Sequence, residues 1–223
     1  MAFGDRTPPY SIPETNTGIE IEVISEALAY RGHALKPVYL PLSRIPIAFK
    51  SHIVDAAMTD LGEDLRPYGG FYGGSAVVYD NVFITLANRG LKITKPADLE
   101  GLSVISFVGG AKRYPKWLEQ VVKQGRYFEQ NNQAVQVLTL ELGRYDVVLS
   151  DRHTFNYFAA QQQAKQTKPL QPRVEHNFEA INPENYRPVF LTRELRDDFN
   201  EGLKRLKASG RLQAICDHYL KEG

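Results

Sequence analysis

The sequence predicts an α/β fold with two lobes, and three observations lead to this prediction. A six-residue phrase occurs twice, as DAAMTD in residues 55–60 and as DVVLSD in residues 146–151, each time after a predicted helix. Three consecutive apolar residues between polar turns suit a strand buried on both faces of a parallel sheet. Strands also alternate with helices, as they do in βαβ units. Because open α/β sheets bind ligands at the edge where such strands end, the two phrases indicate two lobes that share a cleft; the alternative is a chance match.

The composition is that of a globular protein without a strong charge field. The 223 residues are 43% hydrophobic and 11% aromatic, which argues against disorder. The 27 basic and 26 acidic residues leave a net charge of +1, so nothing favours nucleic acid or an anionic membrane as a partner. No apolar run approaches the ~20 residues of a transmembrane helix. The single cysteine, Cys216, excludes an internal disulfide and is expected to be buried and inert.

In the first half of the chain the apolar spacing predicts a helix over 18–30 and a strand over 35–40. A helix over 45–52 follows and leads into the first phrase, which completes a βαβ-type unit. Residues 76–87 (AVVYDNVFITLA) are rich in β-branched and aromatic residues, so they are interpreted as a strand that crosses between lobes.

In the second half a helical turn near residues 96–101 precedes a strand over 102–108, which ends at Gly109 and Gly110. The remaining predictions are helices over 115–123, 133–142 and 154–165, a polar stretch with a short strand signal over 166–185, a strand over 188–191, and amphipathic helices over 194–206 and 211–220. The last two helices are expected to return to lobe 1.

Seven short motifs in a fixed order carry a resemblance to a known family. They are PY at 9–10, GIEIE at 18–22, VDAAM at 54–58, DLEG at 98–101, VGG at 108–110, GRYD at 143–146 with SD at 150–151, and ASGRLQAI at 208–215. In this order they resemble the type 2 periplasmic solute-binding proteins of the amino-acid-binding class, that is, bacterial extracellular solute-binding protein family 3.

The resemblance implies two lobes, each a mixed sheet flanked by helices, joined by two hinge strands. From the order of the predicted elements we expect lobe 1 in residues 1–86, lobe 2 in residues 87–186 and the return to lobe 1 in residues 187–223. The resemblance also implies a monomer in the periplasm that captures a small solute in the interlobe cleft by hinge closure and serves an ABC transporter permease or a membrane sensor. The chain begins Met-Ala-Phe-Gly-Asp without a secretory signal, so the residues alone allow either a cytoplasmic protein or a mature exported form.

In lobe 1 four candidate ligand-binding residues come before the arginine discussed next. Tyr10 matches an aromatic that stacks on the ligand in the family, although a packing role is equally expected. Arg44 matches a position that faces the cleft in some relatives, or is an exposed arginine in the first turn of a helix. Thr59 and Asp60 end the first phrase, where a hydroxyl and a carboxylate can receive an ammonium or hydroxyl group; Asp60 can instead cap the next turn.

Arg66 matches the arginine that clamps the ligand carboxylate in amino-acid binders. The family usually has a threonine three residues earlier, and here that position holds Glu63, with Asp64 beside it. Either acid can pair with Arg66 and occupy it, which leaves open whether the ligand is a standard α-amino acid.

In lobe 2 the resemblance points to a loop and an aspartate. The amides of Gly109, Gly110 and Ala111 match the loop that receives the ligand carboxylate in the family, although a tight turn that needs glycine explains the same residues. Asp151 matches the aspartate that pairs with the ligand amino group. No metal or cofactor is expected, since the five histidines lack metal-ligand spacing.

Two other functions remain open on the same fold. No nucleophile elbow, Walker loop or zinc-protease motif occurs, so an enzyme is not expected. Some proteins of this fold are cyclohexadienyl dehydratases, and Asp151, Glu63 and His153 could supply an acid and a base. The chain can also be the ligand-sensing domain of a receptor.

Overall fold

Within residues 1–220, which the computed structural model describes, ten strands form two five-stranded mixed sheets. The strands are β1 (Ala2–Gly4), β2 (Val38–Leu40), β3 (Ala56–Ala57), β4 (Phe71–Tyr72), β5 (Asn81–Leu86), β6 (Val104–Phe107), β7 (Tyr127–Gln130), β8 (Val147–Asp151), β9 (Arg173–His176) and β10 (Val189–Phe190). The helices are α1 (Ile19–Ala29), α2 (Ile45–Lys50), α3 (Gly110–Arg113), α4 (Pro115–Lys123), α5 (Ala134–Glu141), α6 (Arg152–Ala164), α7 (Arg193–Ala208) and α8 (Arg211–Leu220).

Lobe 1 consists of Met1–Val78 and the segment from Asn182 onward. Its sheet has the order β2-β1-β3-β10-β4. Strand β1 runs parallel to β2 and β3, whereas β10 returns late in the chain and pairs antiparallel with β3 and β4. Helix α1 buries the apolar stripe predicted from its 3.6-residue period, and it packs against α7.

Lobe 2 is the continuous segment Tyr79–Ile181. Its sheet has the order β7-β6-β8-β5-β9, with β6 parallel to β7 and β8, and β5 antiparallel to β8 and β9. Residues of β5, β6, β8, α5 and α6 form one buried apolar cluster. The two mixed sheets flanked by helices confirm the predicted α/β fold.

Strand β5 belongs to lobe 2. All six of its residues are buried, and Phe83 pairs with Leu149 on one side and His176 on the other. The chain passes between the lobes at residues 78/79 and 181/182, and neither point lies in a strand. The sequence prediction placed these limits at 86/87 and 186/187, because the alternation of residues 76–87 does not show that the strand begins only at Asn81.

Strands β1, β4 and β7 were missed in the sequence prediction. The first two contain only three and two residues, too few for a periodic signal. The third, β7, has the sequence YFEQ and lies at the edge of its sheet. With a neighbouring strand on one side only, it is less buried and does not need a run of apolar residues. Cys216 is half-buried, and burial raises the pKa of its thiol, in line with an inert side chain. No helix of the described residues is long and apolar enough to span a bilayer.

Candidate functional site

The first repeat phrase ends in a loop that its own side chains hold. The Thr59 Oγ1 atom accepts a hydrogen bond from the Leu61 N–H at 3.1 Å, and Asp60 Oδ1 accepts one from the Gly62 N–H at 2.8 Å. Leu61 has φ 54°, a conformation that a branched apolar residue rarely adopts. The two side-chain turns offset that cost, so Thr59 and Asp60 are held at the carboxyl edge of β3.

Tyr72, which sequence analysis did not identify, ties this loop to the segment that follows it. Its hydroxyl donates to Asp60 Oδ2 at 2.9 Å and accepts from the Leu65 N–H at 3.1 Å. Burial, together with the Asp60 carboxylate, raises the pKa of Tyr72, so it stays a protonated donor. Asp60 is therefore more than a cap of the turn. Through the Tyr72 hydroxyl it is connected to Leu65, the residue before Arg66.

Arg66 is paired with one of the two acids beside it. Its Nε donates to Asp64 Oδ1 at 2.9 Å, and its backbone N–H donates to the same oxygen at 3.0 Å. Glu63 instead accepts from Lys50 Nζ at 2.9 Å. The hydrogen bond lowers the pKa of Asp64 and raises the pKa of Arg66. The side chain of Arg66 is 73% exposed, and among residues 1–220 its Nη1 and Nη2 atoms have no protein partner.

Tyr10 and Arg44 differ in accessibility. The Tyr10 side chain is 1% exposed, and its hydroxyl donates to the Val78 carbonyl at 3.4 Å. This burial fits the packing alternative, and a stacking role stays a prediction. Arg44 is exposed at the start of α2 and forms no ion pair with the described residues, so its place in the site also stays a prediction.

In lobe 2 the loop after β6 has its amides turned to a carboxylate of the same lobe. Gly109, at φ 90°, donates its N–H to Glu129 Oε2 at 3.0 Å, and the Ala111 N–H donates to Glu129 Oε1 at 3.4 Å. The four-residue helix α3 begins at Gly110. In this structure the loop amides bond Glu129, and their contact with a ligand acid stays a prediction.

Asp151 is the last residue of β8 and also the N-cap of α6. Its Oδ1 accepts from the Thr154 N–H at 2.9 Å, and its Oδ2 accepts from the Asp80 N–H at 2.8 Å. The residue is 3% exposed. Both carboxylate oxygens of Asp151 therefore have protein partners. The second phrase thus ends in a structural cap, as Ser-Asp before a helix often does.

The topology of lobe 2 brings its two candidate groups to one edge. Strands β6 and β8 are parallel neighbours with Ser106 opposite Leu149. The loop after β6 and Asp151 at the end of β8 therefore follow adjacent strands at their carboxyl ends, where open α/β sheets bind ligands. In lobe 1 the polar residues 59–66 follow β3 in the same way. No group of three or more His, Cys, Asp or Glu side chains in the described part of the chain could hold a metal ion.

Solved structures share the fold of this chain from end to end. A histidine kinase sensor domain with similarity to periplasmic binding proteins has a TM-score of 0.79 and 18% identity, covering 98% of this chain and 94% of that chain. The arginine-, lysine-, histidine-binding protein ArtJ from Geobacillus stearothermophilus has a TM-score of 0.74 and 16% identity, covering 99% of this chain and 94% of that chain. An ancestral arginine-binding protein bound to glutamine has a TM-score of 0.74 and 17% identity, covering 98% of this chain and 96% of that chain.

These similarities show the fold of periplasmic binding proteins, which confirms the fold predicted from the sequence motifs. No protein-family profile matches the chain, and no curated protein matches it significantly. All three structural neighbours are binding or sensor proteins, and none is described as an enzyme.

Proposed function

We propose that the chain is a solute-binding protein that captures a small polar or anionic solute, an amino acid or a related compound. The observation that carries this proposal is Arg66, an exposed arginine whose terminal nitrogens have no protein partner among residues 1–220, on a fold shared with amino-acid-binding proteins. A guanidinium with two parallel N–H groups free is suited to a bidentate carboxylate.

The other groups divide the recognition between the lobes. In lobe 1, Arg66 receives the ligand acid, while Thr59 and Asp60 face a hydroxyl or ammonium group. In lobe 2, Asp151 pairs with the ligand amino group. Such a ligand shifts the population of the protein's conformations only by its differential affinity for them.

For this role we place the protein in the periplasm, as a monomer that delivers its ligand to an ABC transporter permease. The neighbouring histidine kinase sensor domain, which has the same fold at a TM-score of 0.79, favours a second candidate, a ligand-sensing domain of a membrane receptor. The dehydratase alternative has less support, because Asp151 caps α6 and Glu63 pairs with Lys50.

A thermal-shift screen against amino acids, dicarboxylates, polyamines and small sugars tests the proposal. A ligand at ~100 times its dissociation constant adds ~2.7 kcal/mol to stability. We expect amino acids to raise the melting temperature of the wild type, and Arg66→Ala and Asp151→Asn to abolish this response. The asparagine keeps a cap oxygen for Thr154 while removing the charge, but its amide group faces the Asp80 N–H, so the response is measured against the variant's own melting temperature without ligand.

Two control variants separate ligand contacts from folding effects. Arg196→Ala removes an exposed arginine that pairs with its neighbour Asp197, and Thr192→Ala removes the N-cap of α7. Both should keep the ligand response. A wild type that responds to no candidate solute, or an Arg66→Ala variant with an unchanged response, would overturn the proposal.

A further inference from the structure

Glu129 occupies the place that a ligand carboxylate would take on the loop of residues 109–111. Its two oxygens accept hydrogen bonds from the N–H groups of Gly109 and Ala111. The register of β7 beside β6 puts Glu129 opposite Ser106, three residues before the loop begins. From this position on the neighbouring strand the long glutamate side chain reaches the loop.

The side chains that pack against this loop also hold Glu129 in place. The Tyr127 hydroxyl donates to Glu129 Oε1 at 2.8 Å. A Cβ added at Gly110 would lie 2.3 Å from Ser106 Oγ and 2.6 Å from the Tyr127 hydroxyl, so the loop backbone packs directly on these two groups. Ser106 is fully buried. Glu129 itself is exposed, whereas Gly109 and Gly110 are buried.

We propose that Glu129 is a specificity-determining residue that excludes an external carboxylate from loop 109–111. The proposal rests on the proposed function only in taking this loop as part of the ligand site. The amide protons that bond Glu129 are not free for a second acid, and two carboxylates on one loop repel each other. A ligand that reaches this loop then turns a donor, such as an ammonium, amide or hydroxyl group, toward Glu129.

The experiment compares the full chain as wild type, Glu129→Gln and Glu129→Ala, with acetate and glycine as probes. Backbone amide signals of Gly109 and Ala111 in ¹H–¹⁵N spectra report occupancy of the loop. We expect both variants to shift these signals without any probe, because the charged acceptor is gone. We also expect acetate to perturb the same signals with an apparent dissociation constant at least ~10-fold lower in the variants than in the wild type, equivalent to ~1.4 kcal/mol.

Glu119→Gln is the matched control, because Glu119 is an exposed glutamate of the same lobe that pairs with Lys123. It should leave the Gly109 and Ala111 signals and their response unchanged. Equal acetate responses in wild type and variants, or no response in any of them, would overturn the exclusion. If the variants gain the acetate response while no solute stabilises any form in the thermal screen, the proposed function fails and the role of Glu129 stands.

Discussion

At the scale of single residues, the pair Asp64–Arg66 limits how a ligand acid can approach. Asp64 engages Nε and the backbone N–H of Arg66, so the side-on edge of the guanidinium is occupied. The end-on edge, formed by Nη1 and Nη2, is left for a bidentate carboxylate. Glu63, the residue that departs from the family pattern, is directed to Lys50 instead. Glu63 therefore does not pair with Arg66, and Asp64 is the acid that does.

Asp64→Asn should raise the affinity for a carboxylate ligand found in the screen. Removing the negative charge leaves Arg66 less neutralised, and since the pair is exposed the gain should be only several-fold. Isothermal titration of wild type and variant measures it. Asp197→Asn, at another exposed aspartate beside an arginine, should leave the affinity unchanged. A lower affinity in Asp64→Asn would instead mean that Asp64 positions Arg66 for binding.

A second prediction concerns Asp146, which opens the second repeat phrase. Burial alone would raise the pKa of Asp146, but hydrogen bonds from the Ser103 N–H and hydroxyl, both at 2.8 Å, and from Arg89 at 2.6 Å hold the pKa below its usual value. A carboxylate whose pKa is lower in the folded than in the unfolded protein stabilises the fold. This stabilisation is fully present above the unfolded-state pKa of about 3.9, and it is lost as the pH falls through the folded-state pKa.

Asp146→Asn should lower the free energy of unfolding by about 1–3 kcal/mol at pH 7, because its single NH₂ group then faces the donors of either Ser103 or Arg89. The difference from wild type should shrink below about pH 3.9, as the wild-type carboxyl becomes protonated. Urea unfolding at pH 7 and at pH 3 measures both values. A difference that is equal at the two pH values would contradict the electrostatic origin of the effect.

At the scale of elements, the contact between α1 and α7 depends on one glycine. A Cβ at Gly202 would lie 1.9 Å from the Ala27 carbonyl oxygen. That oxygen belongs to the backbone of α1, so a rotamer change cannot relieve the overlap and the helices must separate. Glycine is otherwise unfavourable inside a helix by about 1 kcal/mol relative to alanine, so its presence in α7 reflects this close approach.

Gly202→Ala should therefore destabilise the protein despite the better helix propensity of alanine. We expect a loss on the order of 1–3 kcal/mol, as for overpacking of a closely packed contact. Lys204→Ala, at an exposed position of the same helix, should stay within about 0.5 kcal/mol of wild type. Equal melting temperatures of Gly202→Ala and wild type would show that the helices can part at no cost.

Elements with a strong period were predictable from the sequence. Helices α4 and α8 have the bounds that the spacing predicts, and α4 begins with a proline at its first position. The two-residue β4 and the polar edge strand β7 carry no such signal, because sheet pairing with distant residues decides their conformation. The repeated six-residue phrase predicted the polar carboxyl ends of β3 and β8, because its signal comes from consecutive residues.

The partners of the site residues were less predictable than their positions. Sequence analysis named Asp60, Arg66 and the 109–111 loop as candidates, but it did not predict that Tyr72 bonds Asp60 or that Glu129 bonds the loop. Glu129 lies twenty positions after Gly109, and only the parallel pairing of β6 and β7 brings it there. Asp151 was expected as a ligand contact, whereas its role as the cap of α6 required knowing that the helix starts at Arg152.

At the scale of the whole molecule, the two lobes differ in how the chain builds them. All five strands of the lobe 2 sheet, and its buried cluster, come from Tyr79–Ile181. Lobe 1 instead needs both ends of the chain, because β10 lies between β3 and β4 and α7 packs on α1. Late-synthesised residues therefore complete a sheet that the first residues begin.

Isolated residues 79–181 should fold on their own, whereas isolated residues 1–78 should not. The first fragment contains a complete sheet with its helices, and its length lies within the usual size of an independent domain, about 50–250 residues. The second lacks the strand that joins β3 to β4 and the helix that covers α1, so its apolar surface stays open to water. Cooperative urea unfolding followed by circular dichroism distinguishes them. The control is a fusion of residues 1–78 with residues 182–223 through a flexible linker, which should recover a cooperative transition. A cooperative transition in residues 1–78 alone would show that β10 and α7 are dispensable for the core of lobe 1.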